Sequence, residues 1–309
     1  MEQATGQEVK EIHSTHVAAS ELPTETPGME TRVAPSANSC PTCSAGPGGG
    51  PQPSWPPVYA IGRIVARYPS PGIEKEMAQV SGRSDYAGLT DPQMLHTVLS
   101  KPENRYLTRQ LCWVLTIQGL DTYILQPRDP VDFGLLTEAL RPNPSPMDLD
   151  VVIGLVGPVA QPQLCNGLLV PIVVFDQIYS FDRETLLKAI PKPANIAAKD
   201  FAPMAQELLD RIMQMADNAG HAADHRALNY LALRYAAIYT AIGHAFNNNQ
   251  SFTSVEVRPS PLGGIRNIVD VIFAFTNRAT DVVEKQFVTV DVTERFPFLV
   301  RKLSPYFDR

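Results

Sequence analysis

The chain has 309 residues, 44% of them hydrophobic and 19% charged, with a formal net charge of −6. That charge argues against non-specific nucleic-acid binding, which needs clustered Lys and Arg against phosphates, and no apolar run approaches the roughly 20 residues that span a bilayer. The start, MEQATGQEVKEIHSTH, lacks the basic and apolar regions of a secretory signal, and four cysteines in this length make a disulfide framework unexpected; the expectation is a soluble, cytoplasmic protein.

In chain order, residues 1–57 come first and stand apart. Of these, 27 are Pro, Gly, Ser or Thr and eight are large apolar residues. Such a segment buries too little surface to offset its ordering entropy, so it is expected to be a disordered tail. The stretch Gln7 to Ala19 is the exception, a weak helix on contact with a partner. The tail holds six Glu against Lys10 and Arg32, a net −4 that leaves −2 for residues 58–309. From Val58 the pattern is globular. VYAIGRIVARY predicts a strand, GIEKEMAQVSG a helix, and the Asp91-Pro92 start signal a second helix. Two apolar runs around Gln118-Gly119 predict a hairpin. Asp129-Pro130 is an N-cap with proline at the first helical position. DVVIGLVG and VPIVVFDQIYSF are continuous apolar runs, as in strands covered on both faces. Phe201, Met204, Leu208, Leu209, Ile212 and Met215 then mark one long helix. Leu228, Leu231, Tyr235, Ile238, Ile242 and Phe246 mark a second. TSVEVRPS, NIVDVIFAFTN and EKQFVTVDVTE close the chain as three strands. The fold class is α+β: mixed, largely antiparallel sheets, with a helical pair inserted before three C-terminal strands.

Catalytic signatures are missing. The sequence has no Gly-x-Ser-x-Gly elbow, His-Glu-x-x-His, phosphate loop or dinucleotide fingerprint. His221 and His225 have metal-ligand spacing, but Gly220 and Asp224 read as a helix stop and the next N-cap, which puts His221 in a turn. Arg105 and Arg109, at i and i+4, share a helical face and suit a carboxylate or peptide; a solvated face or internal ion pairs is the plain alternative. Asp182 reads as the N-cap of RETLLKAI and Asp176 as a polar strand end. Cys40 and Cys43 form a Cys-x-x-Cys pair, half of a tetrahedral zinc site, with Cys165 as candidate third ligand. Cys112, inside an apolar strand, reads as a buried small hydrophobe. A redox pair and a plain tether remain open beside the structural zinc.

The segments VYAIGRI, EKEMAQVSGR, ENRYLTRQLCWVLTIQGLDTYILQPRD, VPIVVFDQIYSFD, DRIMQMADNAG, DHRALNYLALRY and the block from Val255 to Arg309 resemble the C-terminal domain of unknown function of PatG- and PatA-type cyanobactin maturation proteases. The resemblance covers Val58 to Arg309, and Cys40 and Cys43 fall where that family has a Gly/Cys-rich linker. It implies association with ribosomally made, modified peptides. The subtilisin-like domain of the longer members has no room in residues 1–57, and no Gly-Thr-Ser-x-Ala motif occurs. The family transfers no catalytic residue. The expected function is therefore a stand-alone, non-catalytic accessory domain that binds a precursor peptide or a separate subtilisin-like protease, with a homodimer compatible. The alternative is a peptide-modifying hydrolase or transferase with an unrecognised site. A third reading makes the CPTCSAGPGGG stretch itself a substrate of azoline-forming enzymes.

Overall fold

The first strand opens at Pro57 and is drawn into a barrel by residues far along the chain. We describe a computed structural model, covering residues 55–82, 89–193, 196–215 and 217–307. Five strands close on one another in the order β1-β2-β3-β5-β4: β1 (Pro57–Arg67), β2 (Cys112–Ile117), β3 (Leu120–Pro127), β4 (Asp148–Val159) and β5 (Pro171–Asp182). All pairings are antiparallel except β3 with β5. The β2–β3 turn places Gln118 and Gly119 both at positive φ, the backbone a two-residue hairpin requires.

Four helices occupy the connections at one end of the barrel. α1 (Pro71–Ser81), α2 (Asp91–Leu99) and α3 (Arg105–Gln110) link β1 to β2, and α4 (Phe133–Ala139) links β3 to β4. Each start has a local cause. Ser70 accepts from the Ile73 amide, and Thr90 and Gln93 form a capping box. Asp129 accepts from the Val131 amide ahead of α4. Met77, Val98, Leu107 and Leu136 from these helices join Trp113, Leu115, Val152 and Phe175 from the strands in one apolar core. Five strands in this order, with a helix between the third and fourth, are the connectivity of the Greek-key oligonucleotide/oligosaccharide-binding barrel.

The second layer begins with α5 (Arg183–Ala189), capped by Asp182 through the Thr185 amide as expected. α6 (Ala198–Met213) follows, then α7 (Ala223–Arg234) and α8 (Ala237–Asn247). The second long helix anticipated from the apolar stripe is thus two. At the break, Tyr239 Oη donates to the Ala232 carbonyl at 2.8 Å and the Tyr235 hydroxyl accepts from the Leu303 amide at 3.0 Å. Tertiary partners replace the helical bonds that are lost. Periodicity cannot show this, because the stripe keeps its phase across the break.

The chain ends in an antiparallel sheet, β6-β7-β8-β9: β6 (Gln250–Pro259), β7 (Ile268–Asn277), β8 (Val283–Asp291) and β9 (Phe298–Tyr306). The fourth strand, FLVRKLSPY, was not expected. Its partly exposed edge position gives it no clean alternation of burial. Phe273, Phe275, Val288 and Val290 pack against Leu208, Leu228 and Tyr239. The α6–α7 connection joins this layer to the barrel. The Tyr59 amide donates to the Gly220 carbonyl at 2.8 Å. Asn229 Nδ2 donates to the Tyr59 carbonyl at 2.9 Å, while Asn218 and Asn229 exchange amide hydrogen bonds at 2.8 and 3.2 Å.

Candidate functional site

The six-residue helix α3 turns Leu107 and Thr108 into the core and leaves Arg105 and Arg109 exposed. It is held from inside: Trp113 Nε1 donates to the Thr108 carbonyl, and Asn104 Nδ2 to the Val98 carbonyl, both at 2.8 Å. Arg105 and Arg109 line one wall of a cleft of about 450 Å³; Val131, Phe133, Thr137 and Glu138 line the other. A second cleft of about 280 Å³ shares Arg109, Pro130 and Phe133 with the first, so the two run together into a trough that ends at Arg128 and Leu164. Among the described residues neither the Arg105 nor the Arg109 guanidinium makes an ion pair or hydrogen bond, so the internal salt bridges of the plain alternative are not found there.

Arg128 is fixed differently, and sequence reasoning missed it. It pairs with Asp176 at 2.5 Å, and Arg295 Nη1 reaches both oxygens of the same carboxylate at 2.8 and 2.9 Å. Asp176 is not a strand-end residue. Ile153 pairs with Gln177 and Gly154 with Phe175, so Asp176 is the extra residue of a β-bulge in mid-β5. At Gly154 a Cβ would lie 2.3 Å from the Val174 carbonyl oxygen, so the bulge and the glycine require one another. Two guanidiniums on one carboxylate leave a net positive charge. The trough therefore carries Arg105, Arg109 and this cluster against the single carboxylate Glu138 in its lining. Nothing in the local pattern of QPRDP or VVFDQIY signals that pairing, which the barrel creates.

The cysteines depart from expectation. Cys165, expected as a third thiolate ligand, is bonded to Cys112, with their Cα atoms 5.6 Å apart. A sulfur in that bond has no thiolate to offer a metal. Both half-cystines are buried, Cys112 as expected but as a bonded one. Residues 160–170, between β4 and β5, fold over the outer face of β2 and β3, where Cys112, Val114 and Ile124 pack with Ala160, Cys165 and Leu168. The binding face most used by this barrel type lies on strands 2 and 3. Here its outward side chains Val114 and Ile124 are buried by the chain's own loop. Cys40 and Cys43, the other two metal candidates, lie outside the described residues. Among the described residues no group of three or more His, Cys, Asp or Glu is arranged to hold a metal.

His221 lies in the interhelical turn, as its sequence context predicts, its Nδ1 3.1 Å from the Tyr123 hydroxyl. Burial lowers the pKa of His225 and pushes that of Tyr123 up to about 12. Asp224 belongs to the first turn of α7 and is not its N-cap; Ala222 is. A further groove of about 610 Å³ lies on the face of the C-terminal sheet. Its polar groups already serve one another: Thr289 donates to Asp270 at 2.6 Å and Arg258 chelates Glu256.

The described residues thus form a barrel with a basic trough at its helical end, backed by a helix-covered sheet. Residues 196–306 match the family described as PatG C-terminal. Among solved structures the chain is similar to one titled "PatG Domain of Unknown Function", with a TM-score of 0.65 and 19% identity, over 81% of this chain and 98% of that one. The fold is accordingly that of the PatG domain. No curated protein matches. No helix among the described residues is long and apolar enough to cross a membrane.

Proposed function

We propose that this protein is a non-catalytic accessory module of cytoplasmic ribosomal-peptide maturation, of the cyanobactin kind. It binds an acidic segment of a precursor peptide, or of a partner protease, in the Arg105–Arg109 trough. One observation carries the reading: two guanidiniums one helical turn apart, without internal partners, line a cleft of about 450 Å³. Arginine presents a planar fork that takes a carboxylate in two parallel hydrogen bonds, and an unpaired pair on one wall is set for two acidic side chains or one chain terminus. Phe133 and Val131 opposite supply apolar contact. The peptide-maturation context comes from the sequence resemblance described above; the similar solved structure is a PatG domain of unknown function.

Calorimetric titration of the full chain with acidic precursor peptides and with the protease tests this. The Arg105→Ala/Arg109→Ala variant is expected to bind about 10- to 100-fold more weakly, from roughly 1–3 kcal/mol lost across both charge-assisted contacts. Binding is also expected to weaken with salt. Absence of binding, or binding indifferent to the double substitution, rejects the site. Mass spectrometry of the same mixtures checks the alternative, since a peptide-modifying enzyme would change the peptide's mass.

A further inference from the structure

The two ends of the trough differ in kind. Beyond Arg109 the smaller cleft is floored by Leu111, Trp113 and Leu125, all buried. Trp113 Nε1 already donates to the Thr108 carbonyl, so the indole turns no free polar group into this space. Phe133 and Leu164, both only partly covered, line it as well. Leu164 is held in position: its amide donates to the Gln161 carbonyl at 3.0 Å, and it precedes Cys165, which is bonded to Cys112. Positive charge flanks this apolar hole. Arg109 and Arg128 line it, and no described carboxylate does. Arg128 is oriented by Asp176, which Arg295 also grips, and that cluster keeps its net positive charge. At about 280 Å³ the space falls below the roughly 300–1,000 Å³ of drug-sized ligand sites, which leaves room for a single large side chain.

We propose that this pocket is the specificity site of the trough, taking one Leu or Phe side chain of a peptide that carries Asp or Glu on both sides of it. The inference rests on the acidic-segment reading above and sharpens it. Arg105 and Arg109 accept any carboxylate, so they attract and orient a ligand without choosing among acidic sequences. The pocket supplies the choice. An apolar anchor gains from leaving water, whereas Ser or Asn there would be desolvated with no partner in the floor. An extended chain advances about 3.3 Å per residue, so the residues next to the anchor are the ones that meet the rim arginines. Lys or Arg at those positions would face like charge with no carboxylate to receive it. Leu164 is thus a specificity residue supplied by the 160–170 loop, and Arg109 serves both the acidic and the apolar parts of the ligand.

The test titrates the full chain calorimetrically with synthetic peptides Gly-Glu-Glu-X-Glu-Glu-Gly, in which X is Leu, Phe, Ala or Ser. The Leu and Phe peptides are expected to bind about 10- to 100-fold more tightly than the Ser peptide. Leu164→Ala should shrink that ratio by about threefold or more, and Lys in place of Glu around a central Leu should abolish binding. A second measurement leaves the pocket unaltered. In Trp55→Phe the only indole is that of Trp113. A peptide with bromophenylalanine at X should quench its fluorescence by contact, and one with the same residue at its terminus should not. Equal affinity for all four peptides, a ratio unmoved by Leu164→Ala, or quenching indifferent to the bromine's position overturns the proposal. Equal affinities that still fall in Arg105→Ala/Arg109→Ala overturn the pocket alone and leave the acidic-segment reading in place, whereas no binding by any of the peptides removes both.

Discussion

Asp150 shows how much one side chain can be asked to do. It sits on β4 at the place where β1 stops pairing with β4 and begins pairing with β2, after Gly62. Its carboxylate accepts from the Ile64 amide at 2.7 Å and from the Ser180 hydroxyl, so it replaces a ladder bond lost at the barrel corner. Burial outweighs those bonds and the nearby Arg141, and raises its pKa to about 6, with Asp148 adding in the same direction. A raised carboxyl binds its proton more tightly in the folded state. The contribution of Asp150 to stability should therefore be fullest at low pH and fall as pH rises from about 3.8 to about 6. Asp150→Asn keeps an acceptor for Ile64 and reverses the Ser180 contact, its amide donating to the hydroxyl oxygen. It should flatten urea-unfolding stability across that window, gaining on wild type by the order of 2–3 kcal/mol at pH 7. Arg226 works at the same scale. It is 3% exposed, and its guanidinium donates to the Val292 and Glu294 carbonyls, tying α7 to the β8–β9 connection. Burial pulls its pKa down to about 10. Arg226→Ala orphans two carbonyls and should cost about 2–5 kcal/mol in chemical denaturation.

At the scale of elements, the bulge in β5 and the loop over β2–β3 decide the shape of the trough. Gly154→Ala places a methyl against the Val174 carbonyl and should close the bulge, withdrawing Asp176 from Arg128 and Arg295. The expected outcome is a loss of roughly 1–3 kcal/mol in stability, with weakened peptide binding in the same titration. The 160–170 loop is held by a disulfide that encloses a sequence separation of 53 residues. Removing it with Cys112→Ser/Cys165→Ser should lower unfolding stability by up to about 4 kcal/mol on the chain-entropy argument. Amide exchange in β2 and β3 should rise as their cover loosens.

For the whole molecule, two layers that differ in kind are locked by buried amides. Asn229 is 1% exposed and links Asn218 on the α6–α7 connection to the Tyr59 carbonyl of the barrel. Asn229→Ala leaves that carbonyl and Asn218 short of a partner. It should cost on the order of 2–3 kcal/mol and broaden the denaturation curve as barrel and helical layer begin to unfold separately. The β2–β3 face that this barrel type commonly uses for ligands is covered separately, by the 160–170 loop. Fold sets the scaffold, and the exposed side chains set what it holds.

How much of this was legible follows from the range of each interaction. Helix starts at Asp129 and Asp182, the hairpin at Gln118-Gly119, the face shared by Arg105 and Arg109, and the α+β class rest on contacts within a few residues, and the amino-acid pattern alone determined them. Barrel closure, the parallel β3–β5 pair, the break between α7 and α8, the bulge at Asp176, the Arg128–Asp176–Arg295 cluster and the Cys112–Cys165 bond were settled only in three dimensions. Each joins partners dozens of residues apart, or depends on which of several equivalent carbonyls and cysteines the fold brings near. Local sequence carries propensity; it holds no record of distance.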